Sequence, residues 1–186
     1  MGIRSRILLI SLFLFTAGLS VTYLVAERDI KDTLQDQIVN ELSKQSSLLL
    51  ENINDLNNFD RDYTKADNVA DRLAKSSKSR VTFILNDGTV IGDSEVDLIN
   101  LKNLDNHNNR FEVIEAYKNG YGWSSRYSDT LKQEQLYYAV LDNGVPPNII
   151  RIAVPSTYLD EALASFDLSI LLIVVVAIIV AIISSG

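Results

Sequence analysis

The sequence predicts an α+β fold: a five-stranded antiparallel sheet with flanking helices, bracketed by two transmembrane helices. Three observations carry this. An uncharged apolar run stands near each end of the chain, a stripe of helical period follows the first run, and from residue 80 onward the pattern changes to β-branched and aromatic segments separated by turn signals.

Residues 7–26 are twenty in succession without a charge, and about 20 apolar residues at 1.5 Å each are what a hydrocarbon core ~30 Å thick requires. Arg4 and Arg6 precede the run, while Glu27, Arg28 and Asp29 come after it. The basic flank places residues 1–6 in the cytoplasm and the domain after the run outside. A cleaved export signal begins in the same way, but this run is longer than the usual ~7–15 residues and Leu24-Val25-Ala26 is a poor small-x-small cleavage site, which favours an uncleaved anchor. Residues 168–183 form a second apolar run, interrupted only by Ser169, with no basic cluster after it. The expected layout is a cytoplasmic N-terminus at 1–6, a first span at 7–26, an outer domain at 27–166 and a second span at 167–186 that belongs to something longer. The localisation this implies is the plasma (inner) membrane, crossed twice.

Charge and composition narrow the function classes. Of the 17 Lys+Arg, all but Arg4 and Arg6 fall after the first run, against all 24 Asp+Glu. Such an acidic domain repels nucleic acid, whose binding needs clustered basic side chains. With no cysteine there is neither a disulfide nor thiolate chemistry, so a hydrophobic core must hold the outer domain, and its length suits a single domain.

Along the outer domain, Ile30, Leu34, Ile38, Leu42, Leu49, Ile53 and Leu56 are spaced by three, four or seven residues with no Gly or Pro between them, which predicts a helix running out of the membrane. Its first turns, Ile30, Leu34, Ile38 and Leu42, are candidates for a seam between two copies, and equally for packing on their own domain. Asn57 to Asp60 break the stripe, and Val69 and Leu73 suggest a short second helix ending in the polar stretch 75–79. Residues 80–85 and 89–91 read as a hairpin around Asn86-Asp87-Gly88, apolar on both faces as in a central strand covered by helices.

Asn109-Arg110-Phe111-Glu112 has the spacing of a capping box, and Gly120 suits the left-handed end of a helix over 110–119. Strands are expected at 121–128, 135–141 and 148–154, the last closed by Pro155. Helices between the second and third of five strands are the order of a PAS-like sensor fold. Thr157-Tyr158-Leu159-Asp160 reads as another capping box that starts a helix into the second span, so Pro155, Thr157 and Asp160 are candidates for relaying a signal.

Within 80–154, the strand Val81-Thr82-Phe83-Ile84, the turn Asp87-Gly88, the pair Asp93-Ser94, the segment Asp105-Asn106-His107-Asn108-Asn109-Arg110 and the strand Arg126-Tyr127-Ser128 resemble the extracytoplasmic part of phosphate-regulon-type (PhoR-like) membrane sensor histidine kinases. Phe111 stands where that family is expected to have proline. The resemblance implies a homodimeric receptor whose outer domain controls a cytoplasmic kinase, which phosphorylates its own histidine with ATP and Mg and passes the phosphoryl group to a response regulator. This chain is not itself expected to be an enzyme, because it has no Gly-rich nucleotide loop and its one histidine, His107, falls in the outer domain.

Candidate binding residues are few. His107 and Arg110 could contact a ligand, with a structural role in the loop as the simpler account. Arg126, Tyr127 and Tyr137 lie on strands that line the pocket in PAS-like domains; there an Arg could pair with an anion, or merely balance a carboxylate of the protein. Asp55, Asp60, Asp62 and Asp67 lack the oxygen-ligand spacing of a calcium loop and read as a solvated face, so no metal site is assigned. No catalytic residue or cofactor is assigned to this chain, and with no evident anion cradle phosphate is not implied as the signal. Two other outputs are compatible with such an outer domain: a chemoreceptor or cyclic-dinucleotide enzyme, and a membrane-anchored binding protein that does not signal.

Overall fold

A computed structural model describes residues 3–53, 56–157, 175 and 179. The chain divides into two compact units, residues 37–156 and a second unit of residues 1–36 with 157–186. In the second unit the long helix α1 (Ile3–Asn52) begins, and Ile7, Ile10, Phe13, Leu14, Val21 and Leu24 are exposed along it. Among the described residues no helix is long and apolar enough to cross a membrane. The expected second span lies outside the described residues except at Val175 and Ile179, and so does Asp160 of the second capping box.

The larger unit holds a five-stranded antiparallel sheet in the order β2-β1-β5-β4-β3. Its strands are β1 (Arg80–Ile84), β2 (Val90–Asp93), β3 (Tyr121–Ser128), β4 (Gln133–Leu141) and β5 (Ile149–Pro155). All five expected strands form. β1 lies between β2 and β5 and is buried along its whole length, as its apolar residues on both faces require.

Strand alternation gives the sheet two different faces. Val81, Phe83, Leu136, Tyr138, Ile150 and Ile152 point to one of them and pack with the end of α1, a 3-10 turn at Leu56–Phe59 and α2 (Tyr63–Ser77). Phe59 stacks on Phe83 at 5.8 Å between centroids, and the Tyr138 hydroxyl is 3.0 Å from Ser43 Oγ. The later part of the helical stripe is therefore core of this domain. Leu42 is only 1% exposed, which removes it as a seam residue; Ile38 is half-buried against the same core, and Ile30 and Leu34 are half-exposed.

The stretch after α1 is pinned by Asp142, which accepts from the amides of Leu56 (2.7 Å), Gly144 (3.1 Å) and Asn148 (2.7 Å). α2 starts earlier than its apolar residues suggested because Asp62 caps it, accepting from Lys65 N at 3.0 Å. Asp67 accepts from Asp93 N at 3.1 Å, so two of the four aspartates read as a solvated face serve the backbone, and Asp55 lies outside the described residues.

The other face is covered by α3 (Leu98–Leu101), which hydropathy did not reveal, and by α4 (Phe111–Asn119). Leu101, Val113 and Ala116 pack there on Ile84, Val90, Ala139 and Ile149. α4 sits so close to β3 that a Cβ on Gly122 would lie 2.3 Å from the Glu112 carbonyl oxygen. α4 ends as expected at Gly120, with φ 85°. Its start differs. The N-cap is Arg110, without a side-chain bond, so the capping box of Asn109 and Glu112 does not form. Glu112 is turned into the protein instead, where charged donors outcompete a single backbone amide.

Candidate functional site

Polar residues interrupt the second face at every other position: Arg80 and Thr82 on β1, Ser124 and Arg126 on β3, Gln135 and Tyr137 on β4, Arg151 on β5. Register brings them together. Arg80 pairs with Ala153, which also faces Tyr137; Tyr137 in turn faces Ser124, while Thr82 pairs with Arg151 and Arg126 with Gln135. Buried charges on a sheet face must be paired and hydrogen-bonded, and here they are joined in one network.

Glu112, fully buried on α4, is its centre. One carboxylate oxygen accepts from Arg126 Nη2 at 3.0 Å and Arg151 Nη1 at 3.2 Å, and the other accepts from Ser124 Oγ at 2.7 Å. Arg151 continues to Thr82 Oγ1 at 3.3 Å, and the Thr82 hydroxyl donates to Asp93 at 2.8 Å. Asp93 then accepts from both Nε and Nη2 of Arg80 at 2.8 Å. Tyr137 fits between two guanidiniums, with the Arg126 carbon 4.1 Å and the Arg151 carbon 4.8 Å from its ring centroid.

Burial by itself would raise the Glu112 carboxyl, yet Arg151 and Arg126 hold it down at about 2. For Arg151 burial lowers the guanidinium, and Glu112 opposes that. His107 is lowered to about 2, first by burial and then by the charges of Arg151, Arg110 and Arg126, so its ring is neutral.

This network forms one wall of a cavity of about 270 Å³, whose lining includes Arg80, His107, Arg110, Arg126, Tyr137 and Arg151. The segment leading to α4 supplies another part of the lining and is held by its backbone: His107 N donates to Gly88 O at 2.9 Å, and Arg110 N to His107 O at 3.1 Å. Gly88 has φ 83°, and a Cβ there would lie 2.1 Å from Asn106 Oδ1. The Asp87-Gly88 turn therefore positions His107 as well as closing the hairpin.

Four of the five candidate binding residues, His107, Arg110, Arg126 and Tyr137, thus meet in one cavity. Tyr127 does not; next to Arg126 on β3 it points to the opposite face, exposed. Arg126 balances the Glu112 carboxylate, and it also lines the cavity. The sequence reading missed Arg80, Arg151 and Glu112. A signal was present in Arg151, a charge inside the apolar run Ile149-Ile150-Arg151-Ile152-Ala153-Val154. The arginines that line the cavity come from four separate segments, β1, the loop before α4, β3 and β5.

No protein-family model matches the sequence, and no curated protein matches it. Solved structures do match. The ligand-binding domain of the Campylobacter jejuni chemoreceptor Tlp3 in complex with 4-methylisoleucine aligns with a TM-score of 0.53 at 16% identity, over 77% of this chain and 62% of that one. The sensory domain of the same receptor with isoleucine bound gives 0.54 at 14% identity, over 83% of this chain and 65% of that one. The sensor domain of the V. cholerae histidine kinase DctB aligns at 15% identity with a TM-score of only 0.40, over 82% of this chain and 58% of that one. What is shared at these identities is the fold, that of a sensory domain, and this chain spans less than two thirds of the length of the Tlp3 domains.

Proposed function

We propose that this chain is the extracytoplasmic sensor and membrane-anchor region of a two-component sensor histidine kinase of the PhoR-like type. The observation that carries the reading is the cavity on one face of the sensory sheet, because its wall includes Arg151 of β5, the strand that leads directly into the C-terminal apolar segment. Ser156 N donates to Glu134 O at 3.1 Å, so the backbone is held to the sheet as far as Ser156. Occupancy of the cavity would displace β5 and, through Pro155 and Thr157, shift the second membrane helix between two states of similar energy. Membrane anchoring is supported by the uncharged run 7–26 and the apolar side chains exposed along it, a surface that needs lipid or protein to cover it. Ile30 and Leu34, outside the core of the larger unit, remain the candidate seam of a homodimer.

On this reading ATP, Mg and a response regulator belong to the cytoplasmic kinase of the parent protein. The test uses membranes carrying the parent chain and labelled ATP with Mg. They should acquire acid-labile phosphohistidine, and oxidation of Ile30→Cys and Leu34→Cys variants should trap covalent dimers. A parent chain that takes up no phosphoryl group contradicts the kinase output, and a failure to crosslink at every position from 30 to 38 contradicts the seam.

A second reading, the ligand-binding region of a chemoreceptor, is favoured by the Tlp3 likeness. It shares the outer domain and differs only in what the second helix drives.

A further inference from the structure

We infer that the cavity of His107, Arg110, Arg126 and Arg151 binds a small dianionic oxyanion, a dicarboxylate or a phosphate. This deepens the sensory reading by naming the class of ligand.

The first ground is charge. Arg80, Arg110, Arg126 and Arg151 bring four guanidiniums to the lining, and Glu112 and Asp93 are the buried carboxylates that answer them, one to Arg126 and Arg151 and the other to Arg80. Two positive charges are left over. Asp105 and Asp129 also line the cavity, but both are exposed, where water and salt screen them far more than the buried side is screened.

The second ground is unused hydrogen-bonding capacity. Arg110 Nε, Arg126 Nε, Arg151 Nε and His107 Nδ1 are buried and have no protein partner. They sit on residues of the same cavity, and His107 and Arg151 are only 6% and 1% exposed. A guanidinium cannot accept or lose a proton here, so its spare N–H groups call for an acceptor, and a charged oxygen is the strongest one. Arg110 forms no ion pair or hydrogen bond through its side chain among the described residues, unlike Arg126 and Arg151, which are also structural. The third ground is size. At about 270 Å³ the cavity lies just below the range of ~300–1,000 Å³ that takes drug-sized ligands, so a compact ligand fits it.

The test is calorimetric titration of the full chain in nanodiscs with succinate, with inorganic phosphate and with a neutral amino acid. Saturable binding of succinate or of phosphate is expected, and which of the two binds identifies the source of the oxyanion. Arg110→Ala should weaken it about 10- to 100-fold, the loss of one or two charge-assisted bonds, with unfolding temperature unchanged because Arg110 supports no other side chain. Arg110→Lys should retain part of the affinity. No binding of either dianion at millimolar concentration overturns the inference, as does an affinity indifferent to Arg110→Ala. Binding of the amino acid alone, its ammonium on Asp105 or Asp129, overturns the dianion class and leaves the sensory reading in place. Dianion binding that does not alter phosphorylation of the parent chain would instead contradict the sensory reading and leave the site standing.

Discussion

Glu112→Gln is expected to cost about 3–5 kcal/mol of stability, the usual consequence of removing one partner from a buried ion pair. The amide keeps the shape of the carboxylate but not its charge, so Arg126 and the fully buried Arg151 lose the group that answers them. Urea unfolding of the full chain in detergent measures this. Substituting the second partner should recover much of the loss: Glu112→Gln combined with Arg151→Met should be less destabilised than the two single changes added together, because a pair replaced as a whole leaves no stranded charge. An additive result would show that Glu112 and Arg151 are not coupled. The pH dependence has a defined sign. The Glu112 carboxyl is depressed from 4.5 to about 2 in the folded chain, so its contribution is complete above pH 4.5 and disappears as pH falls toward 2; the Gln variant lacks that part of the acid transition.

Asp93→Asn is expected to be of similar size, about 3–5 kcal/mol, for the same reason on the opposite edge of the network. Asp93 is fully buried and holds the Arg80 guanidinium through two parallel bonds while accepting from the Thr82 hydroxyl and from Glu95 N at 3.1 Å. An amide can accept through one atom only, so the fork of Arg80 loses half its match. The same unfolding measurement checks it. A change below about 1 kcal/mol, the range of exposed pairs, would mean that the pair is solvated.

These two carboxylates also mark where the sequence was legible. The five strands could be read because β-branched and aromatic runs and Asp87-Gly88, Gly120 and Pro155 are local signals, and local sterics decide them. The end of α1 was legible as a stripe, but not which turns of it were core: that Leu42 packs with the sheet depends on where the sheet sits. The cavity was half legible. His107 and Arg110 stood out because they share one loop with a known resemblance, whereas Arg80, Glu112 and Arg151 are 32 and 39 residues apart and are brought into one network only by strand register and the packing of α4 on the sheet. Glu112 shows the limit most plainly, since its local spacing fits a capping box and a long-range network claims it instead.

On the proposed reading the arginine-lined domain faces the outside of the cell. A single thiol tests it, because the chain has no cysteine and Asn100 is exposed on α3. A membrane-impermeant maleimide should label Asn100→Cys in intact cells. Labelling only after the membrane is permeabilised would place the domain in the cytoplasm and contradict the account.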